Sequence, residues 1–203
     1  MEIRPAMTSD ARAIARILAG GLGDKYGPAF GRHAMDALTA IVRASDGAPP
    51  GGYRVALDGD GTPCGVAFLG LDGAGAPVFG PISREVGAIT AIRASVVLLA
   101  FAKGRVEPDE AHLDELAVSP DARRRGIGSA LLAECCDAAE SVGMRRISLW
   151  VTGDNTAARA LYARAGFRVV QRRRWWIGRL LFGARGALLM ERRLDGPPTP
   201  GAR

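Results

Sequence analysis

The sequence has 203 residues, of which 48% are hydrophobic and 24% charged, and its formal net charge is +6. This length fits one ordinary globular domain, which buries roughly 70% of the surface exposed by its unfolded chain. The chain has no apolar run of about eighteen residues and no basic-then-apolar start, so we expect a cytoplasmic protein without a membrane span or signal peptide. The positive charge suits nucleic acid, an anionic membrane or a phosphorylated cofactor equally well.

The cysteines and histidines show no pattern typical of a metal site. Cys64, Cys135 and Cys136 include no C-x-x-C pair, and adjacent residues on a helix point in different directions. We predict that these cysteines are small, buried apolar residues, with a catalytic thiol as the alternative. His33 and His112 have no companions at the spacing of metal ligands, so no metal is expected.

The first part of the chain alternates between strand and helix patterns. Two Asp-Gly pairs at 58–61 predict a hairpin turn, which makes the flanking strands antiparallel neighbours. In chain order we predict a strand at 3–6, a helix that Thr8, Ser9 or Asp10 caps and Gly20-Gly21 ends, a helix at 32–44, strands at 53–57 and 64–71, and a long helix at 83–103.

The second part continues the alternation. We predict a strand at 112–118, a helix from the following loop to about residue 142, a strand at 147–151, a helix between Asn155 and Gly166, and strands at 167–171 and 187–194. Residues 196–203 contain three prolines and predict a disordered tail, which leaves residues 1–195 as a single domain.

The loop from Arg123 to Ser129 has the composition of a phosphate-binding loop. It lies between a strand and a helix, where unpaired backbone N–H groups meet the positive end of the helix dipole. Gly126 and Gly128 leave room for phosphate oxygens, and three arginines add positive charge. The dinucleotide fingerprint requires a third glycine where Leu131 stands, and Walker A requires Gly-Lys-Ser/Thr, so neither pattern fits.

Three segments carry a recognisable pattern. They are Leu113-Asp114-Glu115-Leu116-Ala117-Val118-Ser119-Pro120, Arg123-x-x-Gly126-x-Gly128, and Asn155-x-x-Ala158-x-x-Leu161-Tyr162-x-x-x-Gly166-Phe167. Their order and spacing over residues 112–170 resemble the GNAT superfamily of acyl-CoA N-acyltransferases. The resemblance implies an α/β fold of the α+β type, with a mixed, twisted, mostly antiparallel sheet, splayed at the coenzyme site, and helices on both faces.

The resemblance also implies that acetyl-CoA binds as a cosubstrate. Its pantetheine arm would contact the main chain of Val118 and the side chain of Asn155, and its pyrophosphate the amides from Arg124 to Ser129. The expected coenzyme-binding residues are Leu116, Ala117, Val118, Arg123, Arg124, Arg125, Gly126, Ile127, Gly128, Ser129, Asn155 and Ala158.

Two side chains are candidates for catalysis of amine acylation, which requires a neutral amine and a proton for the leaving thiolate. Glu115 lies on the strand that leads into the coenzyme loop, at a place where the resemblance often puts a carboxylate. We predict that it is the general base, acting directly or through water. Strand alternation turns Asp114 to the opposite face. Tyr162 resembles the tyrosine that protonates the thiolate. The alternatives are an ion-paired Glu115, a core Tyr162 and an Asn155 that caps its helix.

Two charged segments have several interpretations. Five acids at 107–115 form either a solvated face or an attractant for a cationic amine. The stretch 172–182 mixes arginines with Trp175, Trp176 and Phe182. We favour a wall of the acceptor pocket or a homodimer contact there, over a membrane-surface patch from Trp175 to Phe182 or stacking on nucleic acid.

We therefore expect an N-acetyltransferase that moves an acetyl group from acetyl-CoA to a primary amine in a ternary complex. The acceptor is a small-molecule or protein amine, and no nucleic-acid partner is expected. A non-catalytic acyl-CoA sensor of the same fold is the alternative. The acceptor and the preferred acyl chain depend on the segments 72–110 and 171–186, which match no pattern.

Overall fold

One sheet organises the part of the chain that the computed structural model describes, which is residues 1–45, 51–71, 83, 86–101, 106–174 and 186–194. Its strand order is β1-β2-β3-β4-β5-β7-β6, and only β4 and β5 pair in parallel. The strands are β1 Glu2–Pro5, β2 Gly52–Leu57, β3 Pro63–Gly70, β4 Glu110–Val118, β5 Arg146–Thr152, β6 Arg168–Arg174 and β7 Gly186–Arg193.

Helices cover both faces of this sheet. They are α1 Ala11–Gly21, α2 Gly23–Phe30, α3 Ala34–Ala44, α4 Ala88–Phe101, α5 Ile127–Ser141 and α6 Thr156–Arg164. The first four helices share one hydrophobic cluster with β2 and β3, centred on Leu18 and Leu38. Helices α5 and α6 share a second cluster with β4, β5 and β7, centred on Leu131 and Leu149. The expected mixed, mostly antiparallel α/β sheet with helices on both faces is confirmed.

Most predicted elements are present, and the hairpin between β2 and β3 is antiparallel as expected. The clearest error is α2, which the sequence analysis missed because Gly23, Gly27 and Pro28 discourage a helix. Tyr26, Ala29 and Phe30 are nevertheless buried on one side of this short helix. Burial of that apolar face outweighs the weak helix propensity of its sequence.

Two further differences concern element boundaries. Residues Thr8–Asp10 form a 3-10 turn without a capping side chain, and Asp10 instead accepts hydrogen bonds from the amide of Met7 and the guanidinium of Arg4. Strand β6 continues to Arg174, so the arginines at 172–174 belong to a strand and not to a connection. The rest of the aromatic and basic segment, the end of the predicted 83–103 helix and the predicted tail lie outside the described residues.

All three cysteines are buried, as predicted. Burial raises the pKa of Cys135 to about 12 and that of Cys136 to about 11, which leaves both as neutral thiols near pH 7. Within the described ranges, no helix combines the length and apolarity needed to cross a bilayer.

The end of α1 packs directly against β4, and this contact predicts a position-specific effect on stability. A Cβ atom at Gly21 would lie 2.8 Å from the Cβ of Ala117, whereas one at Gly20 would meet nothing within 4 Å. We expect Gly21→Ala to lower the free energy of unfolding by about 1–3 kcal/mol, through overpacking against a rigid strand. Gly20→Ala, in the same helix, should raise it by about 0.5–1 kcal/mol. Urea denaturation of the two variants measures both values, and equal effects would contradict the packing argument.

Candidate active site

A cleft opens where the sheet loses its central pairing. Strands β4 and β5 pair only from Glu110 opposite Arg146 to Leu113 opposite Leu149, and the rest of β4 has no partner on β5. This is the splay that the resemblance implied. A cavity of about 130 Å³ occupies the opening. Its lining residues are Gly21, Leu22, Lys25, His112, Leu113, Asp114, Glu115, Leu116, Trp150, Val151, Thr152, Asn155, Ala158, Tyr162 and Ala187.

A bulge in β4 decides where its acidic side chains lie. Phe68 of β3 is opposite Glu115 and Leu69 is opposite Leu113, so Asp114 is an extra residue without a cross-strand partner. A bulge interrupts the alternation of side chains along a strand. Asp114 and Glu115 both line the cavity, and Asp114 is close enough to Tyr53, the partner of Glu115, to raise its pKa. The opposite orientation expected from strict alternation is therefore not observed.

Glu115 is buried, with 8% of its surface exposed, and three groups surround its carboxyl. The Tyr26 hydroxyl donates a hydrogen bond to Oε1, and the Tyr53 hydroxyl donates to Oε2 at 3.0 Å. The ammonium of Lys25 lies 3.7 Å from Oε1. Burial raises the pKa of Glu115 above its ordinary value, and Lys25 opposes this shift. The ion-paired alternative for Glu115 is therefore correct, and it is compatible with a catalytic role.

Tyr162 reaches the same cavity from α6. The ring packs in the α5 cluster, with its centroid 5.9 Å from that of Phe167, so the core alternative also holds. Among the described residues, no hydrogen-bond partner is found for its hydroxyl. Burial is the main cause that raises the pKa of Tyr162 well above its ordinary value, with a smaller effect from Cys135. The hydroxyl thus keeps its proton at neutral pH.

A second polar group lies beside these two. Nδ1 of the buried His112 is 2.8 Å from the Ser148 hydroxyl, and its Nε2 is 3.8 Å from Oδ1 of Asp114. Ser148 on β5 and His112 on β4 are direct partners in the parallel pair, so their contact follows from the register. These contacts join the side chains of β4 and β5 to one another, and His112 and Asp114 also border the cavity.

The loop before α5 has the backbone expected of an anion site. Gly126 has φ +81° and Arg124 has φ +63°, and the first helical hydrogen bond runs from the Ala130 amide to the Gly126 carbonyl. The amides of Ile127, Gly128 and Ser129 therefore have no acceptor within the helix. The side chains at 123–125 are exposed.

This loop fits a pyrophosphate. A Cβ at Gly128 would make only ordinary contacts, at 3.5 Å to Leu161 and 3.7 Å to Val118, so packing does not require glycine there. A residue without a side chain leaves the backbone open to close approach by a ligand. The residues present can therefore hold the pyrophosphate of coenzyme A.

Asn155 caps α6, because its Oδ1 accepts a hydrogen bond of 3.0 Å from the amide of Ala158. The capping alternative is thereby confirmed, and Asn155 and Ala158 also line the cavity.

The cap predicts an effect on stability. We expect Asn155→Ala to lower the free energy of unfolding by about 1 kcal/mol, and Asn155→Ser to lower it much less because serine also caps helices. Thermal denaturation of both variants checks this. Equal losses from the two substitutions would show that the side chain stabilises the protein in another way.

The acidic segment at 107–115 is only partly a solvated face, because Glu107 is exposed while Glu110 and Glu115 are buried. Glu110 is 2% exposed, and its carboxylate accepts from the amide of Glu107. Asp109 forms an ion pair of 2.7 Å with Arg146. Within this segment, only Asp114 and Glu115 among the acids line the cavity.

Three residues at or beside the cavity were not identified from the sequence. Lys25 and Tyr26 belong to the helix that the sequence analysis missed, and Tyr53 reaches Glu115 from β2. The guanidinium of Arg173 lies 4.5 Å from the ring centre of Trp150, so the 172–182 segment does reach a residue that lines the cavity. One available signal was the spacing of Tyr26 and Phe30, four residues apart, which is the interval of a helix face.

The sheet splays beside β4, and β4 leads into a loop whose amides at the start of α5 have no acceptor within the helix. A family model described as the acetyltransferase (GNAT) family matches residues 22–167. The chain belongs to this family.

Known relatives resemble part of the chain. It is 45% identical over 64 residues to the mycothiol acetyltransferase of Clavibacter michiganensis subsp. michiganensis, which is 32% of this chain and 21% of that protein. It is 43% identical over 77 residues to the ribosomal protein bS18-alanine N-acetyltransferase of Escherichia coli, which is 38% of this chain and 52% of that protein. The chain thus spans about half or less of the length of these relatives.

Solved structures agree with the whole fold. The ribosomal-protein-S18-alanine N-acetyltransferase from Escherichia coli has a TM-score of 0.62 at 20% identity, covering 100% of this chain and 99% of that one. A GCN5-related N-acetyltransferase from Kribbella flavida has a TM-score of 0.63 at 22% identity, covering 95% and 97%. At these identities the agreement concerns the fold.

Proposed function

We propose that this protein is an N-acetyltransferase that moves an acetyl group from acetyl-CoA to a primary amine. The observation that supports this most directly is that Glu115 and Tyr162 line one cavity from different elements, where β4 is unpaired with β5. A carboxylate for the amine and a protonated hydroxyl for the thiolate are the two groups that amine acylation needs. The proposal includes one domain over residues 1–195 and a cytoplasmic location.

The coenzyme-binding part of the proposal uses the loop and the free section of β4. The amides of the Arg124 to Ser129 segment and the arginines at 123–125 hold the pyrophosphate, while the main chain of Leu116 to Val118 contacts the pantetheine arm. Arg123 donates a 3.4 Å hydrogen bond to the Val118 carbonyl, so it turns toward the ligand only after it releases this contact. Asn155 and Ala158 border the same path. When bound, acetyl-CoA supplies an acyl group activated as a thioester, whose transfer forms a C–N bond, breaks a C–S bond and releases a thiol.

Glu115 acts on the acceptor, accepting the proton that an ammonium must lose, directly or through water. For a lysine-like amine with a pKa near 10.4, deprotonation at pH 7 costs about 4.6 kcal/mol, whereas an α-amine near 7.8 costs about 1 kcal/mol. A base therefore matters more for a lysine-like acceptor. Asp114, at the same cavity, adds negative charge that attracts the cationic amine.

Tyr162 supplies the proton to the leaving sulfur. Its raised pKa keeps the donor protonated, although a higher pKa also makes a phenol a weaker acid. A thiolate formed in the same buried place is disfavoured by the same loss of solvation, so burial raises the proton affinity of both groups. The proton then moves from the hydroxyl to sulfur as the C–S bond breaks.

The names of the relatives indicate which classes of acceptor amine to test. The two named relatives act on a ribosomal-protein alanine and on mycothiol, as their names state. Both a protein α-amine and a small-molecule amine are therefore the acceptors to test. A homodimer is the assembly to test, by light scattering of the purified protein.

The decisive experiment measures amine-dependent release of coenzyme A thiol from acetyl-CoA, with mass spectrometry of the acceptor. The panel is a peptide with an N-terminal alanine, an N-acetylated peptide with one lysine, spermidine and glucosamine. We expect at least one amine to gain an acetyl group. Glu115→Gln should slow transfer to a lysine more than to an α-amine. Binding of acetyl-CoA without acetylation of any of these amines would favour the non-catalytic acyl-CoA sensor.

A further inference from the structure

We propose that Lys25, Tyr26 and Tyr53 are positioning residues that hold Glu115 as an oriented carboxylate at the cavity wall. The inference rests on the proposed role of Glu115 as the base, and it assigns a task to three residues that the sequence analysis did not identify. All three tyrosines of the chain then serve this cavity, two through Glu115 and one directly.

The geometry of the carboxyl supports this assignment. Tyr26 donates to Oε1 and Tyr53 to Oε2, so each oxygen has its own phenol donor. The donors come from α2 and β2, on separate parts of the chain, and both side chains are buried. Two donors from independent elements fix the plane of the carboxyl, which a single hydrogen bond leaves free to rotate.

Burial and the charge of Lys25 shift the pKa of Glu115 in opposite directions. Burial favours the neutral acid, and a neutral carboxyl cannot accept a proton from an amine. Lys25, at 3.7 Å, favours the anion, and it is tied to β4 by a 3.4 Å hydrogen bond to the Asp114 carbonyl. The negative charge of Asp114 next to it and the ring of His112 also border this part of the cavity.

The phenols act in the same direction as the lysine. Burial, and secondarily Asp114, raise the pKa of Tyr53 well above its ordinary value, so its hydroxyl remains a donor across the accessible pH range. Hydrogen bonds to a charged carboxylate stabilise that form and lower its pKa. Removal of Tyr26, Tyr53 or Lys25 should therefore raise the pKa of Glu115 in each case.

The first test needs no turnover. Protein labelled with ¹³C at the glutamate carboxyl is titrated by NMR, and Glu115→Gln identifies the signal. We expect Tyr26→Phe and Tyr53→Phe each to raise the titration midpoint by about one pH unit, the loss of one hydrogen bond to a charged group. Lys25→Met should also raise it, and Lys25→Arg should restore most of the original value. Tyr162→Phe, which removes a phenol that does not contact Glu115, should leave it unchanged.

The second test is kinetic. In wild type, kcat/KM should fall at acidic pH as Glu115 takes up a proton, which gives the pH profile an acidic limb. Tyr26→Phe, Tyr53→Phe and Lys25→Met should each move this limb to higher pH. Above the limb the variants should recover most of their rate. A purely structural role predicts a uniform loss at every pH with an unmoved limb.

The outcomes separate this inference from the proposed function. An unmoved NMR midpoint in folded Tyr53→Phe and Lys25→Met overturns the inference, whether or not the protein acetylates amines. If Tyr26→Phe fails to fold, the other two variants decide. Tyr53 belongs to β2 and not to α2, and Lys25, although on α2, is not among the side chains of the hydrophobic cluster that holds this helix. A shifted midpoint in a protein that acetylates no amine would support the positioning of Glu115 and contradict the proposed function alone.

Discussion

Replacing Tyr162 with phenylalanine is expected to lower kcat by about 10²–10⁴-fold, the range that a positioned proton donor contributes. The substitution removes only the hydroxyl, and the ring keeps its place beside Phe167 in the α5 cluster. Steady-state release of coenzyme A thiol, with the best amine of the panel, measures the loss.

Stabilisation by acetyl-CoA separates this effect from damage to the fold, and the pH profile of wild type gives a further check of the role of Tyr162. Acetyl-CoA should stabilise the variant against heat as it stabilises wild type, because the loop before α5 is untouched. In wild type, the raised pKa of Tyr162 means that its active, protonated form persists as pH rises through the ordinary phenol value of about 10, so no alkaline limb from this group should appear below that pH. Unchanged turnover in Tyr162→Phe would remove the residue from the mechanism.

The second large effect concerns binding of acetyl-CoA at the loop. In wild type, acetyl-CoA at 100 times its Kd should add about 2.7 kcal/mol to the free energy of unfolding. Gly126→Val should abolish that gain. Gly126 has φ +81°, a conformation that valine avoids, so the substitution displaces the amides at the start of α5. Thermal unfolding with and without acetyl-CoA measures the change.

Gly143 provides a matched control at the other end of the same helix. Its φ is +79°, and a Cβ there, as at Gly126, would meet nothing within 4 Å. Gly143→Val should therefore cost a similar amount of stability, about 1–3 kcal/mol, while the stabilisation by acetyl-CoA persists. Gly126→Val with an undiminished ligand effect would place the pyrophosphate elsewhere.

The sequence determined most of the local structure by itself. Apolar spacing placed α1 and α5, the Asp-Gly pairs placed the β2–β3 hairpin, and glycines marked the ends of α1 and α5. These signals are local, because each depends on residues within a few positions of one another. The loop at 123–129 was likewise visible from its residue types and its place between a strand and a helix. Glu115 and Tyr162 were identified through the resemblance of their motifs to the GNAT superfamily.

Tertiary structure decided the surroundings of the site. The bulge that places Asp114 and Glu115 at one cavity arises from the register of β4 against β3, which no local pattern specifies. Helix α2 forms because Tyr26 and Phe30 find a buried surface, against the preferences of its glycines and Pro28. The partners of Glu115 come from positions 25, 26 and 53, up to 90 residues away in the sequence. Burial and hydrogen bonding across such separations exist only after the chain has folded, and that is why the charge state of Glu115 could not be inferred from its sequence.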